Sequence, residues 1–251
     1  MMDDRFSVAG RVACVTGASG GIGRALAAAF AASGAQVVGV ARRAEALEDW
    51  RREADGETAA IAADLSDYAS LDALAEKISQ PFGPPDILVN AAGLTARQPA
   101  DEVTVEAWRA TIDLILATPF FLAKALVPPM EARGWGRILN IASLQTTRAF
   151  PGGLAYGASK GGVGQLTRAM AEAWSRHGIT ANALAPGFFP TELTAAVFAD
   201  TERTARNAEQ TCIGRNGVLE DLVGPALFLC SDAAAYVTGQ ILHVDGGFTA
   251  K

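Results

Sequence analysis

The sequence predicts a doubly wound α/β fold, and three observations carry that prediction. Apolar runs of four to six residues, most of them rich in Val and Ile, alternate with longer stretches of helical periodicity. The runs read as continuously apolar, which marks strands buried on both faces of a parallel sheet. A glycine-rich segment stands directly between the first strand and the first helix. Seven strands are predicted, over Val12–Thr16, Gln36–Ala41, Thr58–Ala62, Asp86–Asn90, Arg137–Ala142, Ile179–Ala183 and Gln240–Val244. Helices are predicted between them over Gly23–Ser33, Tyr68–Gln80, Val105–Arg133, Tyr156–His177 and Leu219–Ser231. The Pro128-Pro129 pair is expected to end or bend its helix, because proline removes a backbone donor and restricts the residue before it. No repeat or linker interrupts the alternation, so residues 1–251 are expected to form one domain with a mostly parallel seven-stranded sheet.

Composition narrows the functions. A chain of 251 residues, half of them hydrophobic, buries a core without staples. A formal charge of −6 opposes binding to nucleic acid. Cys14, Cys212 and Cys230 are odd in number and lack ligand spacing, which argues against disulfides and a metal site and suits a reducing cytoplasm. Asp3 and Asp4 at the start do not suit an export signal, and no unbroken apolar run reaches about 18 residues, so neither secretion nor a membrane span is expected.

After the first strand comes Thr16-Gly17-Ala18-Ser19-Gly20-Gly21-Ile22-Gly23. Glycines there allow a tight turn and let backbone amides approach a pyrophosphate at the positive end of a helix dipole. That context points to a Rossmann-type dinucleotide loop formed by Gly17, Ser19, Gly20, Gly21, Ile22 and Gly23. The same stretch matches the G-x-S-x-G elbow of serine hydrolases. That alternative lacks a suitable histidine, since only His177 and His243 exist, at a helix end and within a late strand.

Tyr156-Gly157-Ala158-Ser159-Lys160 places a phenol and an ammonium four residues apart on one helix face, with Ser143 thirteen residues upstream at a strand end. A neighbouring ammonium is expected to lower the Tyr156 pKa toward values useful for proton transfer. The Ser143 hydroxyl could hold a substrate oxygen as charge develops on it. Tyrosine and lysine at this spacing are more often a plain surface pair.

In combination these motifs resemble the short-chain dehydrogenase/reductase family. The resemblance spans nearly the whole chain through Thr16-Gly17-x-x-x-Gly21-x-Gly23, Asp64, Asn90-Ala91-Ala92-Gly93, Ser143, Tyr156 with Lys160, Pro186-Gly187 with Thr191, and Val244-Asp245-Gly246-Gly247. It implies an oxidoreductase with Ser143, Tyr156 and Lys160 as its catalytic residues. It further implies Asp64 and Leu65 at the adenine, Asn90, Ala91 and Gly93 beside the adenine ribose and phosphates, and Pro186, Gly187 and Thr191 at the nicotinamide carboxamide. Lys160 would also grip the nicotinamide ribose. Asp64 could instead start a local turn with Ser66, and Asn90 could be a strand exit. Residues 188–212 are expected to form a mobile lid, and the family implies a homotetramer built on the catalytic helix. Close backbone approach, to cofactor, to a second subunit or inside one chain, would explain Gly157, Gly161, Gly162 and Gly164 in that helix.

The chain departs from the family at one place. Aligning Trp108-Arg109-Ala110-Thr111-Ile112-Asp113-Leu114 puts Ile115 where many members carry an asparagine that holds a water for the lysine. An aliphatic side chain has no group for that task. Arg42 and Arg43 follow the second strand with no acidic residue, which favours NADP(H) over NAD(H) because guanidinium suits a 2′-phosphate; a solvated helix start is the plainer alternative. The small-molecule substrate is expected to be a ketone or secondary alcohol. The segment from Asn90 to Pro99 looks like the gluconate 5-dehydrogenase branch, and Arg97 and Arg148 are candidates for a sugar-acid carboxylate. An acyl-thioester or general ketone reductase, or an NADP(H)-binding sensor or structural subunit with little turnover, are the competing readings.

Overall fold

The computed structural model describes residues 4–95 and 97–251. Val12–Thr16 forms β1, Gln36–Ala41 β2, Thr58–Ala62 β3, Ile87–Asn90 β4, Gly136–Ile141 β5, Ile179–Pro186 β6 and Ile241–Val244 β7. All pair in parallel, in the order β3-β2-β1-β4-β5-β6-β7. Ala13 of β1 pairs with Val37 on one side and Ile87 on the other. The chain therefore begins mid-sheet and winds outward in both directions, leaving a switch point beside the carboxyl end of β1. Strand β6 runs three residues beyond its predicted end, because Leu184, Ala185 and Pro186 are buried between β5 and β7.

Helices cover both faces. On one side α1 (Gly21–Ala32), α2 (Ala44–Glu53) and α9 (Val223–Leu229) bury Leu26, Phe30, Trp50 and Leu229 against the sheet. On the other, α3 (Leu71–Ser79), α5 (Thr118–Arg133) and α6 (Leu154–Trp174) bury Ile78, Leu122, Leu126 and Met170. Helix α2 was not predicted, since Ala44–Glu53 is mostly charged and buries only Leu47 and Trp50. Two short helices, α7 (Ala195–Phe198) and α8 (Thr201–Gln210), occupy the predicted lid.

The predicted helix over 105–133 is divided. Helix α4 (Val105–Ile112) passes through a wide π turn at Asp113–Ala117 into α5. Pro119 has no N–H for the carbonyl four residues back, that of Ile115, so the α pattern breaks here. The Thr118 backbone N–H reaches Asp113 and its hydroxyl lies 2.7 Å from the Leu65 carbonyl. Pro128 and Pro129 do not end α5, which continues to Arg133. Burial of Leu122, Ala123, Leu126, Val127 and Met130 holds the helix through the missing donors. The stretch Val105–Arg133 is long and apolar enough to cross a bilayer, yet its buried residues belong to the core beside α3 and α6.

Candidate active site

The carboxyl ends of β1, β2, β4, β5 and β6 open into a cleft of about 460 Å³, within the range of cofactor and small-molecule sites. Its lining includes Gly17, Ser19, Gly20, Gly21, Ile22 and Gly23 with Arg42, Arg43 and Leu65, as well as Ala91, Gly93, Arg97, Ser143, Tyr156, Lys160, Pro186, Gly187 and Thr191, the last lying against Gly21.

Sequence dictates the loop's shape. Gly17 has a φ of +73°, and a Cβ there would lie 2.9 Å from the Ala91 carbonyl. At Gly23 a Cβ would come within 2.4 Å of the Gly17 oxygen. Neither position takes a side chain, which lets the loop close tightly onto α1. Helix α1 starts at Gly20 without a side-chain cap, so its first N–H groups remain for an anion. The Thr16 hydroxyl accepts from Ala91 N–H at 3.0 Å and Ala92 N–H at 3.1 Å, tying the ends of β1 and β4 together.

Ser143 leaves β5 and caps a short 3-10 turn, its Oγ accepting from Gln145 N–H at 3.1 Å. The Tyr156 phenol projects from the first turns of α6 into the same cleft. Burial raises the Tyr156 pKa, while the neighbouring Ser143 side chain and the Arg97 charge lower it in part. That corrects the expectation of a phenol acidified by Lys160. The Lys160 Nζ lies 5.7 Å from the phenol ring centroid and donates to the Ile141 carbonyl. Burial brings Lys160 itself down to about 8. Ile115 sits beneath this group, 1% exposed, in an apolar cluster with Ala142, Val163, Ala183 and Ala185 that packs on the Tyr156 ring.

Several predicted residues lie elsewhere or are committed to other partners. Asp64 does not line the cleft; its carboxylate accepts from Ser66 N–H at 3.0 Å and Oγ at 2.8 Å, the local turn that was the alternative reading. Asn90 donates to Asn140 Oδ1 at 2.9 Å beneath the cleft floor. Arg148 faces away, its guanidinium 3.1 Å from the Lys251 backbone oxygen. The internal glycines of α6 answer to packing within the chain at two positions: a Cβ at Gly162 would meet Leu116 at 2.8 Å, and one at Gly164 would meet Thr146 at 2.7 Å. Gln145 and Glu192 are among the cleft residues that escaped sequence reasoning. Gln145, two positions after Ser143, has a buried Oε1 with no partner among the described residues, and Glu192 follows Thr191 at the lid's start. Position beside a motif residue was the available signal for both.

Comparison with known proteins agrees with this geometry. The pattern of a family described as enoyl-(acyl carrier protein) reductase matches residues 17–249. A gluconate 5-dehydrogenase of Gluconobacter oxydans (strain 621H) is 44% identical over 99% of this chain and 98% of its own. A 2-dehydro-3-deoxy-D-gluconate 5-dehydrogenase of Pseudoalteromonas atlantica is 40% identical over 100% of both chains. The crystal structure of a gluconate 5-dehydrogenase from Burkholderia cenocepacia J2315, in complex with NADP and tartrate, superposes with a TM-score of 0.92 at 38% identity, over 99% of this chain and 98% of that one. With the seven-stranded parallel sheet, the glycine loop and the serine, tyrosine and lysine gathered in one cleft, these likenesses show that the chain belongs to the short-chain dehydrogenase/reductase family.

Proposed function

We propose that this chain is an NADP(H)-dependent oxidoreductase that interconverts a ketone and a secondary alcohol, with a keto sugar acid or polyol as substrate. The carrying observation is that one cleft gathers Ser143, Tyr156 and Lys160 with a glycine-rich loop flanked by Arg42 and Arg43. The loop from Gly17 to Gly23 and the first turn of α1 would hold the pyrophosphate, and the two arginines the 2′-phosphate. When bound, the dinucleotide supplies or accepts the hydride.

The rest falls to the chain's own groups. Tyr156 is the proton donor to the carbonyl oxygen in reduction and the acceptor in oxidation. Its raised pKa keeps the phenol protonated at neutral pH, which suits reduction there, and rising pH shifts it toward alcohol oxidation. Ser143 donates a hydrogen bond to the same oxygen as negative charge builds on it. Lys160, below its usual range and bonded to Ile141, holds the base of the cleft. Ile115 offers it no hydrogen-bonding group, so proton exchange with solvent runs through the open side of the cleft.

Two of the relatives are named as dehydrogenases of gluconate and of 2-dehydro-3-deoxy-D-gluconate, and Arg97 stands on the cleft wall near Tyr156, where its charge reaches the phenol. A substrate carboxylate is the natural partner for it. NADPH oxidation followed at 340 nm with 5-ketogluconate tests the reading. Tyr156→Phe should lower turnover about 10²- to 10⁴-fold with NADPH affinity retained. Arg97→Ala should raise the KM about tenfold for 5-ketogluconate and leave that for neutral ketoses unchanged. Undiminished turnover in the phenylalanine variant would refute the proton assignment.

We further propose a cytoplasmic homotetramer. Val105, Trp108, Phe120 and Phe121 leave apolar surface exposed along α4 and α5, which a second subunit would cover.

A further inference from the structure

Arg43 and Glu192 are 149 residues apart in sequence and meet across the cleft. The Arg43 Nη1 lies 2.9 Å from Glu192 Oε2 and its Nη2 lies 3.1 Å from Oε1, a two-point fork. The remaining guanidinium donors hold the phosphate loop: Nη2 donates to the Ser19 carbonyl at 3.1 Å and Nε lies 3.4 Å from the Ser19 hydroxyl. The ion pair passes directly over the loop, for a Cβ at Gly20 would meet Arg43 Nη2 at 2.7 Å and Glu192 Oε1 at 2.9 Å. Glu192 opens the short 3-10 turn that leads into α7 and α8. A salt bridge therefore ties the lid's first residues to the loop opposite.

The fork that Arg43 offers to a carboxylate is the same one it offers to a phosphate. Both partners are largely in solvent, with side chains 52% and 65% exposed, so the link is weak enough for a ligand to replace. We infer that Glu192 is a specificity-determining residue for the dinucleotide: its carboxylate occupies the Arg43 fork that a 2′-phosphate uses, so a phosphorylated dinucleotide frees the lid and an unphosphorylated one leaves it tied. The inference rests on the NADP(H) reading above. Glu192 acts against the phosphate by competing for the same donors.

Titration of the intact chain with NADPH and NADH, read by cofactor fluorescence, tests this without any substrate. Glu192→Gln should lower the Kd for NADPH about two- to fivefold, the most a surface ion pair sustains. It should leave the Kd for NADH unchanged. With Arg43→Ala already present, adding Glu192→Gln should leave the Kd for NADPH where it was, because the contested donors are gone. Weaker NADPH binding in Glu192→Gln, an equal shift for both dinucleotides, or a gain that persists without Arg43 would each overturn the inference. Arg43→Ala alone separates the two levels. If it leaves the NADPH-to-NADH affinity ratio unaltered, the assignment of the 2′-phosphate to this arginine fails and takes the inference with it. If the ratio falls and Glu192→Gln behaves otherwise than stated, only the role of Glu192 fails.

Discussion

Replacing Lys160 with methionine should stabilise the fold near neutrality and do so less as the pH rises. Lys160 is 5% exposed, and burial takes its pKa from 10.5 to about 8. That difference makes the buried ammonium about 3 kcal/mol less favourable than it is in the unfolded chain. The sign follows from linkage: between about pH 8 and 10.5 the unfolded chain binds more protons at this lysine than the folded chain does, so the parent gains stability as the pH rises through that window. Below it the penalty is present in full, and above it the penalty vanishes. Methionine, of similar volume and without charge, escapes it at every pH. Loss of the bond to the Ile141 carbonyl subtracts a constant amount and leaves the pH dependence intact. The advantage of the variant should thus be about 2–3 kcal/mol larger at pH 7 than at pH 10, or about 4–12 °C in the difference of Tm values. Thermal denaturation of both proteins at the two pH values measures it, and shifts elsewhere in the chain cancel in the comparison. A variant whose Tm difference from the parent is the same at both would refute a lysine whose pKa burial lowers.

Two further outcomes follow from the same cluster and its surroundings. Ile115→Asn should raise turnover by giving Lys160 a hydrogen-bonding neighbour, and should lower stability by about 1–3 kcal/mol because an amide enters an apolar cluster; kinetics and denaturant melts read the two effects separately. Phe121→Glu places a charge on the exposed apolar face of α5 and should break the proposed tetramer into smaller species on size-exclusion chromatography with the Tm little changed.

Much of the architecture was readable because most strands are largely apolar runs. Val12–Thr16, Gln36–Ala41 and Thr58–Ala62 match prediction residue for residue. Helix α2 was not readable, since a helix that rests on the sheet through Leu47 and Trp50 alone carries little apolar periodicity. Helix α5 does not end at its two prolines because tertiary burial, which no local rule includes, carries it on to Arg133. At the site, the loop and the Tyr156 helix announce themselves over a few residues, whereas the meeting of Ser143 with Tyr156 came from family likeness. Asp64 stays exposed, with Ser66 taking one of its two carboxylate oxygens. The lysine's effect on the phenol was misread because helical spacing fixes which face two residues share and says nothing of a strand carbonyl competing for the ammonium. Arg43 and Glu192, like Asn90 and Asn140, meet only once the sheet is assembled.

The Thr16 hydroxyl, by gripping two consecutive amides at the exit of β4, welds the dinucleotide end of the cleft to the strand that precedes the substrate wall. Gly162 and Gly164 likewise leave the catalytic helix no slack against its neighbours. Substrate range in such a molecule cannot be retuned by repacking its floor. Variation aimed at new substrates belongs instead at Thr95, Arg97, Phe188 and Leu193, which line the opening outside the buried core. A library confined to those positions should keep its folded fraction while its selectivity drifts.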